Sequence, residues 1–312
     1  MDKGTKILII LNVILVAALG ALYFVLFSDS KTRPTEEEIN NTAPIQKPKK
    51  IPEVADDKEE VEKMIKFALG TEADKFAVYL FRPEKEKQPI LFQSRPMRPA
   101  SMIKVFVLAK VMQDAKDGKL ALDELIPMTA NNIVGGAGSI AAEGVGAKIP
   151  IRKAAEVMIT DSDNTATNIL IDRVGMDNIN QYLKEKGYND TVINHKMMLQ
   201  TTQTNYSSVA DLGLLFTRLY NHECVDDFYD HLIIYYLLKQ DDKECLPAAL
   251  PYWNIAHKTG EVENLYDDGG ICYGSTGDFV LVMMSDYINS RGDTIDRMKN
   301  ITMQIAENYM GK

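Results

Sequence analysis

Ser101 and Lys104 stand three residues apart in Ser101-Met102-Ile103-Lys104, with the apolar run Val105-Phe106-Val107-Leu108-Ala109 directly after them. If a helix begins here, residues i and i+3 share a face, and the Lys104 ammonium lies beside the Ser101 hydroxyl at the helix start. A serine hydroxyl is a poor nucleophile at neutral pH, but a lysine stripped of water near another cation has its pKa lowered enough to take the proton. The unpaired N–H groups and positive dipole end of a helix start suit an oxyanion formed at an attacked carbonyl. Alone, the pattern is more often a helix cap followed by a solvated lysine. Two further stretches change that: Ser162-Asp163-Asn164, in a loop signal after an apolar helix, and Lys258-Thr259-Gly260, after the extended run Trp253-Asn254-Ile255-Ala256-His257.

The elements that must position these residues follow from the apolar pattern. A helix is expected over 56–69, capped by Asp56 and closed by Gly70, then strands over 76–81 and 89–93. Helices are expected over 100–116, 151–160, 165–174, 177–186, 208–222 and 225–239. Strands return over 254–262, 269–273 and 278–285, and a helix over 294–309 ends the chain. Strands at both ends of a helical insert imply an α+β fold, in which the first strands pair with the last and the helices form a separate lobe. A cleft between the lobes brings Ser101, Ser162 and Lys258 to one point. The glycine-rich Gly135-Gly136-Ala137-Gly138-Ser139 lacks the G-K-[ST] ending and preceding strand of a phosphate cradle, so it reads as a flexible rim loop.

The rest of the chain bounds the setting. Residues 7–27 are almost wholly apolar, with Asn12 the one strong polar interruption and Lys3 and Lys6 just before. A helix of about 20 residues spans the hydrocarbon layer, and the lysines keep residues 1–6 cytoplasmic. A cleaved signal peptide ending at Ala18-Leu19-Gly20 competes, but the run continues through Tyr23 and Phe27, which favours an anchor. Residues 28–55 carry Pro34, Pro44, Pro48, Pro52 and runs of like charge, the composition of an extended linker, leaving 56–312 as the folded domain outside a cell membrane spanned once. With 44 acidic against 35 basic residues the formal charge is −9, and the absence of a basic cluster in the domain argues against nucleic acid. Cys224, Cys245 and Cys272 are too few for a disulfide scaffold; Cys224 and Cys245 pair across a helix, or all three are buried thiols. The four histidines are scattered and no Cys/His group has zinc-site spacing, so neither metal nor cofactor is expected.

The three motifs in this order are a signature of class A β-lactamases and penicillin-binding proteins, and the likeness is wider than the motifs. Pro99 to Val105, with Asp117-Gly118-Lys119-Leu120 after it, resembles the nucleophile helix of class A β-lactamases. Met158-Ile159-Thr160-Asp161-Ser162-Asp163-Asn164-Thr165-Ala166-Thr167-Asn168 resembles the second motif and its helix, and His257-Lys258-Thr259-Gly260-Glu261 the third-motif strand. The resemblance implies a three-layer α/β/α antiparallel sheet lobe beside an all-helical lobe. It implies Ser101 as acyl nucleophile, Lys104 as its base, and Ser162 passing a proton to the leaving nitrogen with help from Lys258. Asn164 would bind the substrate's side-chain amide. Thr259 and Lys258 would hold its carboxylate, with Gly260 beside them, and the backbone N–H groups of Ser101 and Glu261 would hold the oxyanion. The implied substrate is a β-lactam or a peptidoglycan-like small molecule, handled by a monomer.

One departure bears on turnover. Class A enzymes carry a glutamate after the second motif that activates water against the acyl-enzyme, whereas residues 191–206 contain no Asp or Glu. His195, Gln200 and Glu261 are the nearest replacements. The expectation is therefore acylation with slow deacylation; a cell-wall D,D-peptidase or esterase, and a non-catalytic wall-binding sensor, remain as alternatives.

Overall fold

The computed structural model describes residues 57–310. The expected anchor over 7–27 and linker over 28–55 lie outside the described residues. Among the described residues no helix is long and apolar enough to cross a membrane.

In chain order the elements are α1 (Lys58–Leu69), β1 (Phe76–Phe81), β2 (Ile90–Phe92), α2 (Lys104–Lys116), β3 (Leu125–Pro127), β4 (Lys148–Pro150), α3 (Ile151–Thr160), α4 (Asn164–Val174) and α5 (Met176–Glu185). They continue with α6 (Val209–Tyr220), α7 (Asp227–Leu238), α8 (Leu246–Ala249), β5 (Asn254–Val262), β6 (Leu265–Tyr273), β7 (Phe279–Ser285) and α9 (Arg291–Gln304). The main sheet runs β2-β1-β7-β6-β5 and is antiparallel throughout. β1 pairs with β7 from Phe76↔Ser285 to Phe81↔Val280, the expected closure of the first strand on the last. β6 begins at Leu265, earlier than its apolar run suggests, because Asp267 and Asp268 lie inside it at 0% exposure. The short pair β3–β4 and the single turn α8 carry too little periodicity to be read from sequence.

α1 and α9 cover one face of the sheet: Val61, Ile65 and Leu69 share a core with Phe76, Val78, Leu281, Met283, Ile295 and Met298. α6 lies on the other face, so close that a Cβ on Gly213 would come within 2.2 Å of the Tyr79 ring. Tyr79 Oη and Thr217 Oγ1, 2.8 Å apart, add a polar tie across that contact. Beyond α6 the helices α2 to α5 and α7 form the second lobe around α2, whose residues from Lys104 to Met112 are all buried. The α+β reading, with a three-layer sheet lobe and a helical lobe, is the architecture present.

Three local features complete the fold. The expected cap of α1, Asp56, lies outside the described residues; the neighbouring Asp57 carboxylate makes no cap bond and pairs with Arg82, which is 1% exposed and also holds Glu86 and the Tyr309 carbonyl at 2.9 Å. The last helix starts at Arg291, capped by Ser290, and ends in a π-helical turn, Ile305–Tyr309. Cys224, Cys245 and Cys272 are free and buried, the second of the two arrangements the sequence left open, and Cys224 does not pair with Cys245.

Candidate active site

Ser101 does not sit in the α-helix itself. It lies in a 3₁₀ turn, Ala100–Ile103, held by the Met102 N–H on the Pro99 carbonyl at 2.8 Å, and α2 starts only at Lys104. Ala100 has φ of 41°, a left-handed conformation that an L-residue adopts at a cost of about 1–3 kcal/mol. Strand β5 presses on this turn: a Cβ at Gly260 would lie 2.7 Å from the Pro99 carbonyl and 3.1 Å from Met102 Cγ. Only a glycine lets the third motif approach the first so closely. β5 is also the edge strand, so its free side faces the Ser101 turn.

Lys104 is fully buried, and its Nζ donates to the Ser162 carbonyl at 2.5 Å, Ser162 Oγ at 3.1 Å and Asn164 Oδ1 at 2.9 Å. Ser162 turns both its hydroxyl and its carbonyl toward the amine because its backbone is left-handed, with φ of 55°. Burial, and then the positive charge of Lys258, hold the Lys104 pKa well below the usual lysine range, against the opposing pull of Asp163. The expected side-chain bond between Ser101 and Lys104 is not among these contacts. Among the described residues Ser101 Oγ has no hydrogen-bond partner.

Asp163, the middle residue of the second motif, has a structural task the sequence did not assign. Its Oδ1 caps α4 through the Ala166 N–H at 2.7 Å, and its Oδ2 accepts from the N–H groups of Ser139 at 2.6 Å and Ile140 at 2.9 Å. Asn164 adds Nδ2 to the Gly135 carbonyl at 3.2 Å and its own N–H to the Ala137 carbonyl at 3.1 Å. The glycine-rich segment does lie at the rim, as expected, but it is lashed to the second motif rather than loose. Glycine is required at 138, where φ is 106° and a Cβ would meet Asp163 at 2.2 Å.

Lys258 is fully buried on β5 and donates to the Thr259 carbonyl at 2.9 Å. Burial lowers its pKa to about 7 in spite of the nearby charges of Asp268 and Asp242. Thr259 Oγ1 accepts from Gln240 Nε2 at 3.3 Å; Gln240 is buried just past α7, and nothing in its sequence context marked it. His257 points to the opposite face of the strand, where Nδ1 lies 2.8 Å from Asp268 Oδ1 with both side chains fully buried. The exposed Glu261 carboxylate is paired with Arg291 through contacts of 2.7 and 3.0 Å, and Arg291 also holds Glu244.

The loop over 191–206 is clamped at two points. Asn168 accepts the Met197 N–H at 2.8 Å and donates to the Met197 carbonyl at 3.2 Å. Asn205 accepts from the N–H groups of Asn194 at 2.8 Å and His195 at 3.1 Å. His195 turns Nδ1 to the Lys196 carbonyl at 2.8 Å, and Gln200 is exposed. The side chain that this loop brings against the rim is Met198, whose Sδ is 3.4 Å from where a Gly136 Cβ would be.

An edge strand facing a helical lobe across a serine and two buried lysines defines an active-site serine hydrolase fold. The model of the β-lactamase enzyme family matches residues 59–309, and the chain belongs to that family. Among solved structures, PBP-A is similar at 24% identity and a TM-score of 0.75, covering 86% of this chain and 99% of its own. An acyl-enzyme complex of a PBP-A variant with penicillin G matches at 24% identity and 0.74 over the same shares, 86% and 99%. A β-lactamase from Sphaerobacter thermophilus matches at 21% identity and 0.73, covering 80% of this chain and 97% of that one. No curated protein matches the sequence.

Proposed function

We propose that this protein is a membrane-anchored, extracytoplasmic serine hydrolase, acylated at Ser101 by β-lactams or a related amide and slow to release the acyl group. The observation that carries the reading is the Lys104 amine: buried, its pKa depressed, and bonded to Ser162 and Asn164. A neutral amine keeps two N–H groups for the Ser162 carbonyl and Asn164 Oδ1 and turns its lone pair to the Ser162 hydroxyl at 3.1 Å. A proton taken from Ser101 then has a path through Lys104 and Ser162 to a leaving nitrogen. Ser101 Oγ joins that path when substrate closes the site, since catalytic hydrogen bonds tighten in the complex. Lys258, with its pKa near 7, and Thr259, steadied by Gln240, hold the substrate carboxylate. Gly260 keeps the strand against the nucleophile turn, with the backbone N–H groups of Ser101 and Glu261 as oxyanion donors. The Glu261 charge is answered by Arg291 and leaves an anionic substrate unopposed.

Slow release is supported by the loop over 191–206, which offers methionine and amide groups where a water-activating carboxylate is needed. Missing general-base help costs about 10²–10⁴-fold in rate. An acyl group sheltered from water also suits transfer from a cell-wall peptide, and release of D-alanine from a stem-peptide mimic separates that reading from antibiotic hydrolysis. Intact-mass spectrometry with penicillin G is the test: one adduct, mapped to Ser101 and outlasting the excess drug, is expected. A spectrum with no adduct on Ser101, together with no hydrolysis of the drug, overturns the proposal. The anchor rests on the apolar run over 7–27 behind Lys3 and Lys6, and recovery of the full chain in the membrane pellet after a high-salt wash checks it.

A further inference from the structure

We propose that Met198 is an oxidation site at the rim of the Ser101 cleft: a peroxide converts its thioether to a sulfoxide, whose oxygen occupies the Asn164 amide and slows acylation. The inference rests on the proposed acylation of Ser101. Met198 is 59% exposed; among the described residues the other methionines are buried or half-buried, apart from Met303 at 37%. Asn168 pins the backbone of the buried Met197, and the loop turns the next side chain, Met198, outward. Met303 sits on α9, which covers the sheet face shared with α1, and so serves as an internal control. The thiols do not compete. Cys224, Cys245 and Cys272 are buried, and burial raises their pKa, that of Cys224 to about 12, which removes the thiolate that peroxide oxidises.

In the oxidation the sulfur lone pair attacks one peroxide oxygen, the O–O bond breaks and an S–O bond forms. The proton on the transferred oxygen passes to the departing hydroxide, which leaves as water, so the sulfur is oxidised and the peroxide reduced. An apolar, flexible side chain thereby gains a polar acceptor. The glycine at 136 leaves room for it. Asn164 Nδ2 and Met198 Sδ lie 2.7 and 3.4 Å from one point, the position a Gly136 Cβ would take. An oxygen placed there is within hydrogen-bond reach of the amide, and the exposed Met198 side chain has the freedom to bring it. Asn164 Nδ2 donates to the Gly135 carbonyl at 3.2 Å, which leaves its second N–H for the substrate's side-chain amide. The sulfoxide oxygen takes that N–H. Loss of one such bond slows acylation by about three- to tenfold.

Titration of the full chain with hydrogen peroxide, followed by peptide mapping, tests the site. Within residues 57–310 Met198 should oxidise first, ahead of Met303. At that dose, labelling by a fluorescent penicillin should slow by about three- to tenfold, and methionine sulfoxide reductases acting on both epimers should restore it. Met198→Leu keeps an apolar side chain on an exposed position, and its labelling rate should not respond to the same dose. The Asn164 side-chain amide resonance, which needs no substrate, should move on oxidation of the wild type and stay in place in Met198→Leu. Met198 still reduced once Met303 is oxidised overturns the proposal. So does a fully oxidised Met198 with an unmoved Asn164 resonance or an unchanged labelling rate. Untreated protein that takes no label sinks the reading of Ser101 instead, while the mapping and the resonance still decide the oxidation site.

Discussion

At the scale of single residues the proposed chemistry rests on two buried lysines, Lys104 and Lys258. Burial makes each hold its proton less tightly than a surface lysine does, and the charge of Lys258 lowers the Lys104 pKa further. Ser101→Ala should abolish the penicillin adduct in intact-mass spectra while leaving Tm unchanged. Lys104→Met should slow adduct formation by about 10²–10⁴-fold, read by stopped-flow labelling with a fluorescent penicillin. The pH dependence has a definite sign. A lysine whose folded pKa is about 7 against 10.5 in the unfolded chain costs stability in full below pH 7, and the cost fades as pH rises to 10.5. Lys258→Met should therefore raise Tm near pH 6, with the advantage shrinking toward pH 10, even as capture of anionic substrates is lost.

At the scale of elements the site depends on how closely one strand and one loop approach. Gly260→Ala adds a methyl group 2.7 Å from the Pro99 carbonyl and pushes β5 off the Ser101 turn. Overpacking of this kind costs about 1–3 kcal/mol; urea unfolding should show that loss, and acylation should slow with it. Asn168→Ala removes both bonds to the Met197 backbone and leaves buried polar groups unpaired, a loss of about 1–3 kcal/mol. Limited proteolysis should then cut within 191–206 before any other segment opens. Met198 and the rim would lose their seat together, because the same loop faces Gly136.

At the scale of the molecule the two ends of the folded region are joined by one buried guanidinium. Arg82 binds Asp57 at the start of α1, Glu86 beyond β1 and the Tyr309 carbonyl after α9. Arg82→Ala takes the guanidinium from the mostly buried Glu86 and leaves Asp57 only Lys85 at 3.9 Å, and breaking a buried pair costs about 3–5 kcal/mol. Chemical unfolding should show this as a lower midpoint with an unchanged slope, and penicillin labelling should survive below that midpoint, since the cleft lies in other contacts.

The sequence by itself determined the α+β layout and singled out the side chains on which the proposed chemistry rests. Ser101 with Lys104, Ser162 with Asn164, and Lys258 with Thr259 are local spacings, and the apolar periods around them reflect backbone geometry that neighbours in the chain dictate. The tertiary structure alone decided who meets whom. That Lys104 bonds Ser162 and Asn164 rather than Ser101, that Asp163 holds the glycine-rich rim, and that Gln240 steadies Thr259 all join segments distant along the chain. The histidines scattered in sequence drew together at 222 and 231 for the same reason. A lysine reads the same in sequence whether solvated or dry; its pKa is set by the water and charge that the packed lobes leave around it.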